Sequence, residues 1–270
     1  MPLRPWIICI AFALTACAAP LAKRESSVHF LLLGEVHDNA QIHEKRAEFL
    51  RKLLADGKPT VVVFEQMGRD RNDAIAAAPR EVEALIDAGG FDRKGWRWPL
   101  HKPVFDAALA SGATIAGGNL ERDKARALVR EGEGAWPADL DALRSGSGWA
   151  EAQQKIMEKD IDEGHCGALP QQMMPGMVLA QRGRDASMAK AMLRARASGA
   201  ERVVLIAGNG HVRRDVAVPL YLRAAGVPDG EVRSIGYLEE GSGQPEAVYD
   251  EVVRTPAAQR EDPCASLKKK

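Results

Sequence analysis

The chain has 270 residues, 37 Lys plus Arg against 37 Asp plus Glu, and 46% hydrophobic residues. Its length suits one large domain, or one domain with an insertion. Zero net charge, and no basic stripe interleaved with aromatics, exclude nucleic acid as a partner.

The N-terminus reads as a targeting segment. Arg4 precedes an apolar run from Trp6 to Leu14, about the length of a signal-peptide core and too short to span a bilayer. Leu14-Thr15-Ala16-Cys17 looks like a bacterial lipobox, in which the cysteine is lipidated and becomes the mature N-terminus. Residues 1–16 would then leave, taking Cys9, and residues 17–27 would form a tether. An ordinary cleaved signal is the alternative. Ala18, rather than Asp, after the cysteine points to an outer-membrane lipoprotein facing the periplasm, anchored to the membrane by lipid without a span. Cys166 and Cys264 remain, and could pair in an oxidising compartment if the fold brings them close.

Four short apolar runs follow, each ending in a polar cluster: Phe30–Leu33 before Gly34-Glu35-Val36-His37, Val61–Phe64 before Glu65-Gln66, Thr114–Ala116 before Gly117-Gly118-Asn119, and Val203–Ala207 before Gly208-Asn209-Gly210-His211. Such runs read as parallel strands buried on both faces. The fold class expected is α/β: a doubly wound, mostly parallel sheet flanked by helices, with a helical insertion subdomain. After the first run Asn39 caps a helix bearing Ile42, Phe49, Leu50, Leu53 and Leu54, stopped by Gly57-Lys58-Pro59. Helical segments near 71–88 and 102–111 flank a tryptophan-bearing loop at 89–99, long enough to wall or cover the sheet edge. Residues 136–198 read as helices only, with a break at Gly164–Pro170, and form the insertion. A helix at about 211–224 and strand-like stretches at 231–238 and 247–254 close a domain spanning 28–254. The tail, 255–270, carries charges and three terminal lysines and reads as disordered.

In an open α/β sheet, ligands bind at the carboxyl ends of the strands. Glu35, His37, Glu65, Asn119, Asn209 and His211 should therefore share one crevice. Two histidines that merely cap helix starts are the plainer alternative. Glu35 and Glu65 at neighbouring strand ends would repel, raising one carboxyl's pKa, unless a basic residue such as Arg184 neutralises them. Gln181, Asp185, Met188 and Met192 are spaced to share a face of the long helix, and Asp185 needs a partner that the crevice could supply.

The Gly-Glu-Val-His and Gly-Asn-Gly-His turns, Phe64-Glu65-Gln66, His165–Pro170 and Arg184-Asp185-x-x-Met188 resemble the ChaN-like haem-binding lipoproteins, within the grouping that includes Tiki and TraB proteins and erythromycin esterases. The resemblance runs from about Val28 to Leu238. It implies an α/β sheet with a helical subdomain, and a homodimer that sandwiches haem at its interface, with iron ligated by tyrosine. It also implies a role in haem and iron uptake, with an outer-membrane haem receptor or transporter as partner. The tyrosines here are Tyr221, Tyr237 and Tyr249, none in the insertion. Haem needs an apolar slot, an axial donor and cations for its propionates. The insertion offers His165, the first choice of ligand, with Cys166, Met173, Met177 and Arg184, while Tyr221 stays open.

Through the same relatives, Glu35, His37, Glu65 and His211 imply hydrolysis, either with a divalent metal ion on Glu35, His37 and His211 or by general base. No Gly-x-Ser-x-Gly elbow is present. A scaffold that binds neither haem nor metal is the third reading.

Overall fold

The structure, a computed structural model, describes residues 28–262, 264 and 265. The expected signal peptide, the lipidation site Cys17 and the tether (17–27) lie outside the described residues. In chain order the elements are β1 (Phe30–Leu33), α1 (Ala40–Leu54), β2 (Thr60–Gly68), α2 (Asn72–Ala77), α3 (Val82–Ala88), α4 (Lys102–Ala110), β3 (Thr114–Asn119) and α5 (Arg122–Glu131). There follow α6 (Asp141–Gly146), α7 (Glu151–Gly164), α8 (Met174–Ala197), β4 (Arg202–Ile206), α9 (Asn209–Val212), α10 (Val218–Ala224), β5 (Val232–Glu239) and β6 (Glu251–Thr255), with short 3-10 turns between them.

Among the described residues the strands form one all-parallel sheet, in the order β3-β2-β4-β1-β5-β6. Alternate residues serve opposite layers, as strand geometry requires. Leu31, Leu33, Val62, Phe64, Val204 and Ile206 pack with Ile42 and Leu50 of α1 and with Phe105 of α4, whose ring lies 4.0 Å from that of Phe64 at 6°. Phe30, Leu32, Val63, Val203 and Leu205 pack on the other face against Met188 and Met192 of α8, Leu128 of α5 and Tyr221 of α10.

The register sets up the site. Leu33 is level with Ile206, and Ile206 with Phe64. The residues that follow, Glu35, Gly208 and Glu65, therefore emerge side by side at one sheet edge, where β4 and β1 meet and the connections diverge, the place at which doubly wound sheets bind ligands.

Two expectations change. The long helix α8 is not part of a separate insertion throughout its length. Met174 and Val178 pack with Met157 and Val216 in a satellite cluster, whereas Ser187 donates to the Gly118 carbonyl at 2.9 Å and Met188 sits under the sheet. The segment read as a disordered tail is held down over its described part. Thr255 ends β6, Asn39 Nδ2 donates to the Pro256 carbonyl at 3.0 Å, and Ala258 N donates to Glu239 at 2.8 Å. Beyond these, Cys264 is disulfide-bonded to Cys166, with Cα atoms 5.6 Å apart. Composition alone suggests disorder; specific polar bonds and one covalent link override it. Helix α5, which carries Leu128 into the core, was not read from the sequence.

Candidate functional site

Glu35 and Glu65 stand side by side in an open cavity of about 1360 Å³ at this edge, and each is buried with its own partners. Glu35 Oε1 accepts from His37 Nδ1 at 2.6 Å, His101 Nε2 at 3.0 Å and Gln66 Nε2 at 3.1 Å, while Oε2 takes the Arg46 guanidinium. Burial by itself would push this carboxyl up, but Arg46 and His101 outweigh it and hold Glu35 well below the ordinary carboxylate range. Arg46 also donates to His43 Nδ1 at 2.8 Å, and His43 Nε2 donates to the His37 carbonyl at 2.9 Å. Burial and the adjacent guanidinium lower the His43 pKa to about 3, so this ring is a neutral strut.

Glu65 is supported differently. Its Oε2 accepts from Gly208 N at 2.7 Å and its Oε1 lies 3.3 Å from His211 Nε2, whose Nδ1 is 2.6 Å from Asp185 Oδ1. Burial would lower the His211 pKa, but the two carboxylates push it up to about 10, and the ring is an imidazolium bridging them. Burial raises Asp185 to about 6, against the pull of His211. For Glu65 burial is again opposed, here by His211, and the carboxyl falls to about 2. The repulsion expected between Glu35 and Glu65 is thus not what raises a carboxyl. Each has its own cation, and Asp185 is the group pushed up.

The six strand-end residues expected to converge do so, since all of them line the cavity. Asn119 Nδ2 donates to the Glu65 carbonyl at 2.9 Å, and its Oδ1 accepts from Arg184 at 3.1 Å. Asn209 acts as a splint: its side chain exchanges bonds of 2.7 and 3.0 Å with the Tyr237 backbone, fixing the end of β4 to β5. The tryptophan loop does form a wall, with Trp96 edge-on to His37 at 4.8 Å between ring centroids. Arg46, His43 and His101 were missed by sequence reasoning. For Arg46 a signal exists: it falls between Ile42 and Leu50 at spacings of four, inside the apolar stripe of α1.

The expected haem residues divide. Met177 and Arg184 line the cavity, joined by Leu120, Ala125, Val129, Ala180, Arg122 and Arg126. His165, Cys166 and Met173 do not. His165 is exposed at the end of α7 with Nδ1 bonded to the Ile161 carbonyl at 2.7 Å, Met173 is exposed, and the Cys166 sulfur is committed to Cys264. The open Tyr221 option also fails. Its side chain is fully buried beneath α8, its hydroxyl accepts from Arg182 Nε at 3.3 Å, and burial raises its pKa.

The cavity residues fit haem in a different way. The His37 side chain is 48% exposed and lines the cavity, with Nδ1 bonded to Glu35 and Nε2 left as the ring's other donor atom, beside Gly208. Partial burial pulls the His37 pKa down, the Glu35 hydrogen bond and charge push it up, and the net shift is upward. Both nitrogens of His211 and of His43 already have partners, and His101 is fully buried. Apolar side chains and guanidinium groups complete the kind of lining a porphyrin with propionates requires. A second arrangement overlaps it: ligand atoms of Glu35, His37 and His101 lie within 4.8 Å of one another, close enough to share a metal ion.

Residues 21–222 match the family described as "Haem-binding uptake, Tiki superfamily, ChaN". The chain belongs to this family. Among solved structures it is similar to that of cofacial haem binding to ChaN of Campylobacter jejuni, with 18% identity, a TM-score of 0.66, and 84% of this chain and 87% of that one covered. It is also similar to a Bacillus cereus protein at 11% identity and TM-score 0.48, covering 82% of this chain and 68% of that one. An erythromycin esterase in its open conformation follows at 17% identity and TM-score 0.45, covering 92% and 81%. No curated protein matches. The likeness to the Campylobacter protein shows the shared α/β fold; among the described residues no helix is long and apolar enough to cross a membrane.

Proposed function

We propose that this protein is a lipid-anchored haem-binding protein of haem and iron uptake, which binds haem at the sheet-edge crevice, where His37 would hold the iron. The observation that carries this reading is the half-exposed His37 ring, its Nδ1 fixed by Glu35, lining a cavity that also bears Arg184, Arg122 and Arg126. A carboxylate on the far nitrogen sets the tautomer and raises the basicity of a histidine ligand. Arg184, whose hydrogen bond is to the neutral Asn119 amide, serves a propionate. Haem when bound supplies the iron; the chain holds the ring, orients His37 and offers cations to the periphery.

The cavity, at about 1360 Å³, exceeds the roughly 300–1000 Å³ usual for a drug-sized ligand. Its open mouth suits a homodimer that closes over haem from both sides, in keeping with the cofacial haem of the Campylobacter protein. An outer-membrane haem receptor or transporter is the partner such a role needs, and lipidation at Cys17 supplies the membrane anchor.

The test is an absorption titration of the tag-free mature chain with haemin. A saturable Soret band that is altered by His37→Ala and unaffected by His165→Ala is expected; unchanged spectra in His37→Ala would remove His37 as ligand. Cys17→Ser should abolish palmitate incorporation, and unchanged labelling would defeat the anchor. The Glu35–His37–His101 grouping favours a second reading, a divalent-metal hydrolase, although Arg46 on Glu35 opposes an added cation. Stoichiometric metal with ester or peptide cleavage, and no haemin uptake, would put that reading first.

A further inference from the structure

We propose that the strap of residues 256–262 forms a redox-released latch on the His37 side of the crevice, with the Cys166–Cys264 disulfide as its trigger and a dithiol as its reductant. The effect on haem rests on the function proposed above; the latch itself does not. The strap leaves β6 at Thr255 and crosses the sheet edge to the turn after α7, where the disulfide joins residues 98 apart in sequence. Between its ends Arg260 pairs with Glu239 and, at 2.7 Å, with Asp38. Asp38 follows His37 in the chain and also holds Arg97 at 3.2 Å, and the residue before Arg97, Trp96, stands edge-on to the His37 ring. Ion pairs therefore lead from Arg260, four residues before the disulfide-bonded Cys264, through Asp38 to Arg97, next to the Trp96 wall of the His37 site.

The strap is held by these links and by little apolar burial, since most of 256–262 is exposed. An exposed ion pair is weak alone. The disulfide raises its effective concentration by keeping Arg260 beside Asp38. Both cysteines are partly exposed, so a reductant can reach them. In the reaction a thiolate of the dithiol attacks one sulfur, the other cysteine leaves as a thiol after taking a proton, and the second thiol of the reductant resolves the mixed disulfide. Two electrons and two protons pass to the protein, and the dithiol becomes a disulfide.

Segment-resolved amide exchange on the full mature chain tests this, comparing oxidised wild type with the Cys166→Ser/Cys264→Ser variant and with wild type reduced by a phosphine. We expect exchange at least ten-fold faster over 256–262, and several-fold faster over 92–98, where Trp96 N and Trp98 N donate to Asp92 and Arg93 carbonyls at 2.9 and 2.8 Å. Arg260→Ala, with the disulfide intact, should speed exchange over 92–98 as well. Unchanged exchange over 92–98 in the double-serine variant would overturn the latch. Faster transfer of bound haemin from that variant to a scavenger protein would link the latch to the ligand; equal transfer rates would break the link. If neither form takes up haemin, the haem reading falls, and the exchange data still decide the latch.

Discussion

Two carboxylates at strand ends on either side of β4, Glu35 and Glu65, are buried alike and held ionised by different means. Glu35 is held by Arg46 and His101, with the Gln66 amide and His37 donating to the same carboxylate. Glu65 is held by His211, whose charge exists only because Glu65 and Asp185 flank it. The first cluster is a fixed charge pair that presents His37 to the cavity. The second is a proton-dependent clamp that ties β2 and β4 to α8. Ionised carboxylates in one crevice can thus have unlike sensitivities to pH, because the cation beside each has its own proton affinity.

The strongest way to break the comparison is Arg46→Met, which leaves the Glu35 charge buried without its main partner. A loss of about 3–5 kcal/mol is expected on removing one member of a buried pair, read as a lower urea midpoint. A loss under about 1 kcal/mol, the scale of one ordinary hydrogen bond, would show that His101, His37 and Gln66 suffice.

Next comes His211→Asn. Here the expected loss is about 1.5–3 kcal/mol, the size of a hydrogen bond to a charged group, because Asp185 can take up a proton and Glu65 keeps the Gly208 amide. The pH profile sharpens this. The folded pKa of His211, about 10, lies above its ordinary value of 6.5, so its contribution is complete below pH 6.5 and is lost as pH rises toward 10. Glu65, lowered from 4.5 to about 2, contributes above pH 4.5 and loses that as pH falls toward 2. His43, lowered from 6.5 to about 3, also costs stability as pH falls through that window, since the unfolded chain takes the proton first. The melting temperature should therefore peak near neutrality, and His211→Asn should flatten the alkaline limb and also reduce the Glu65 part of the acid limb, because His211 is what holds Glu65 down. An alkaline limb identical in both proteins would exclude His211 as its source.

The smallest expected change in stability is that of Gly208→Ala. A Cβ there would lie 2.8 Å from His37 Cε1, and a half-exposed ring can swing away at a cost of under about 1 kcal/mol, within the range of surface changes. Its effect belongs instead to the ligand: the Soret band of bound haemin should shift, while melting hardly moves. A large loss of stability with an unchanged spectrum would mean that the ring cannot move and does not face the ligand.

The parallel strands were legible because a strand buried on both faces must be apolar at every position, and Phe30–Leu33 and Val203–Ile206 are. The turns after them were legible for a related reason, as glycine beside polar residues at a strand end marks where backbone approaches closely. At Gly34 an added Cβ would meet Asn209 Oδ1 at 2.1 Å. From these two features alone, Glu35, His37, Glu65, Asn209 and His211 could be assigned to one edge, and the structure puts them there.

What the sequence could not assign is which of these groups are charged, and by whom. Arg46 and His101 reach Glu35 from the far layer, and Asp185 reaches His211 from α8, contacts that depend on helix packing rather than on any local pattern. The same holds for the haem residues. His165 and Cys166 looked suited because they sit near methionines in sequence, but the fold sends them to the disulfide corner and brings Met177 and Arg184 to the cavity instead. Local sequence determines strand, turn and buried face, because those follow from backbone geometry and burial. Only tertiary structure decides partners, protonation and access, because these are set by distances between segments that the chain order leaves free.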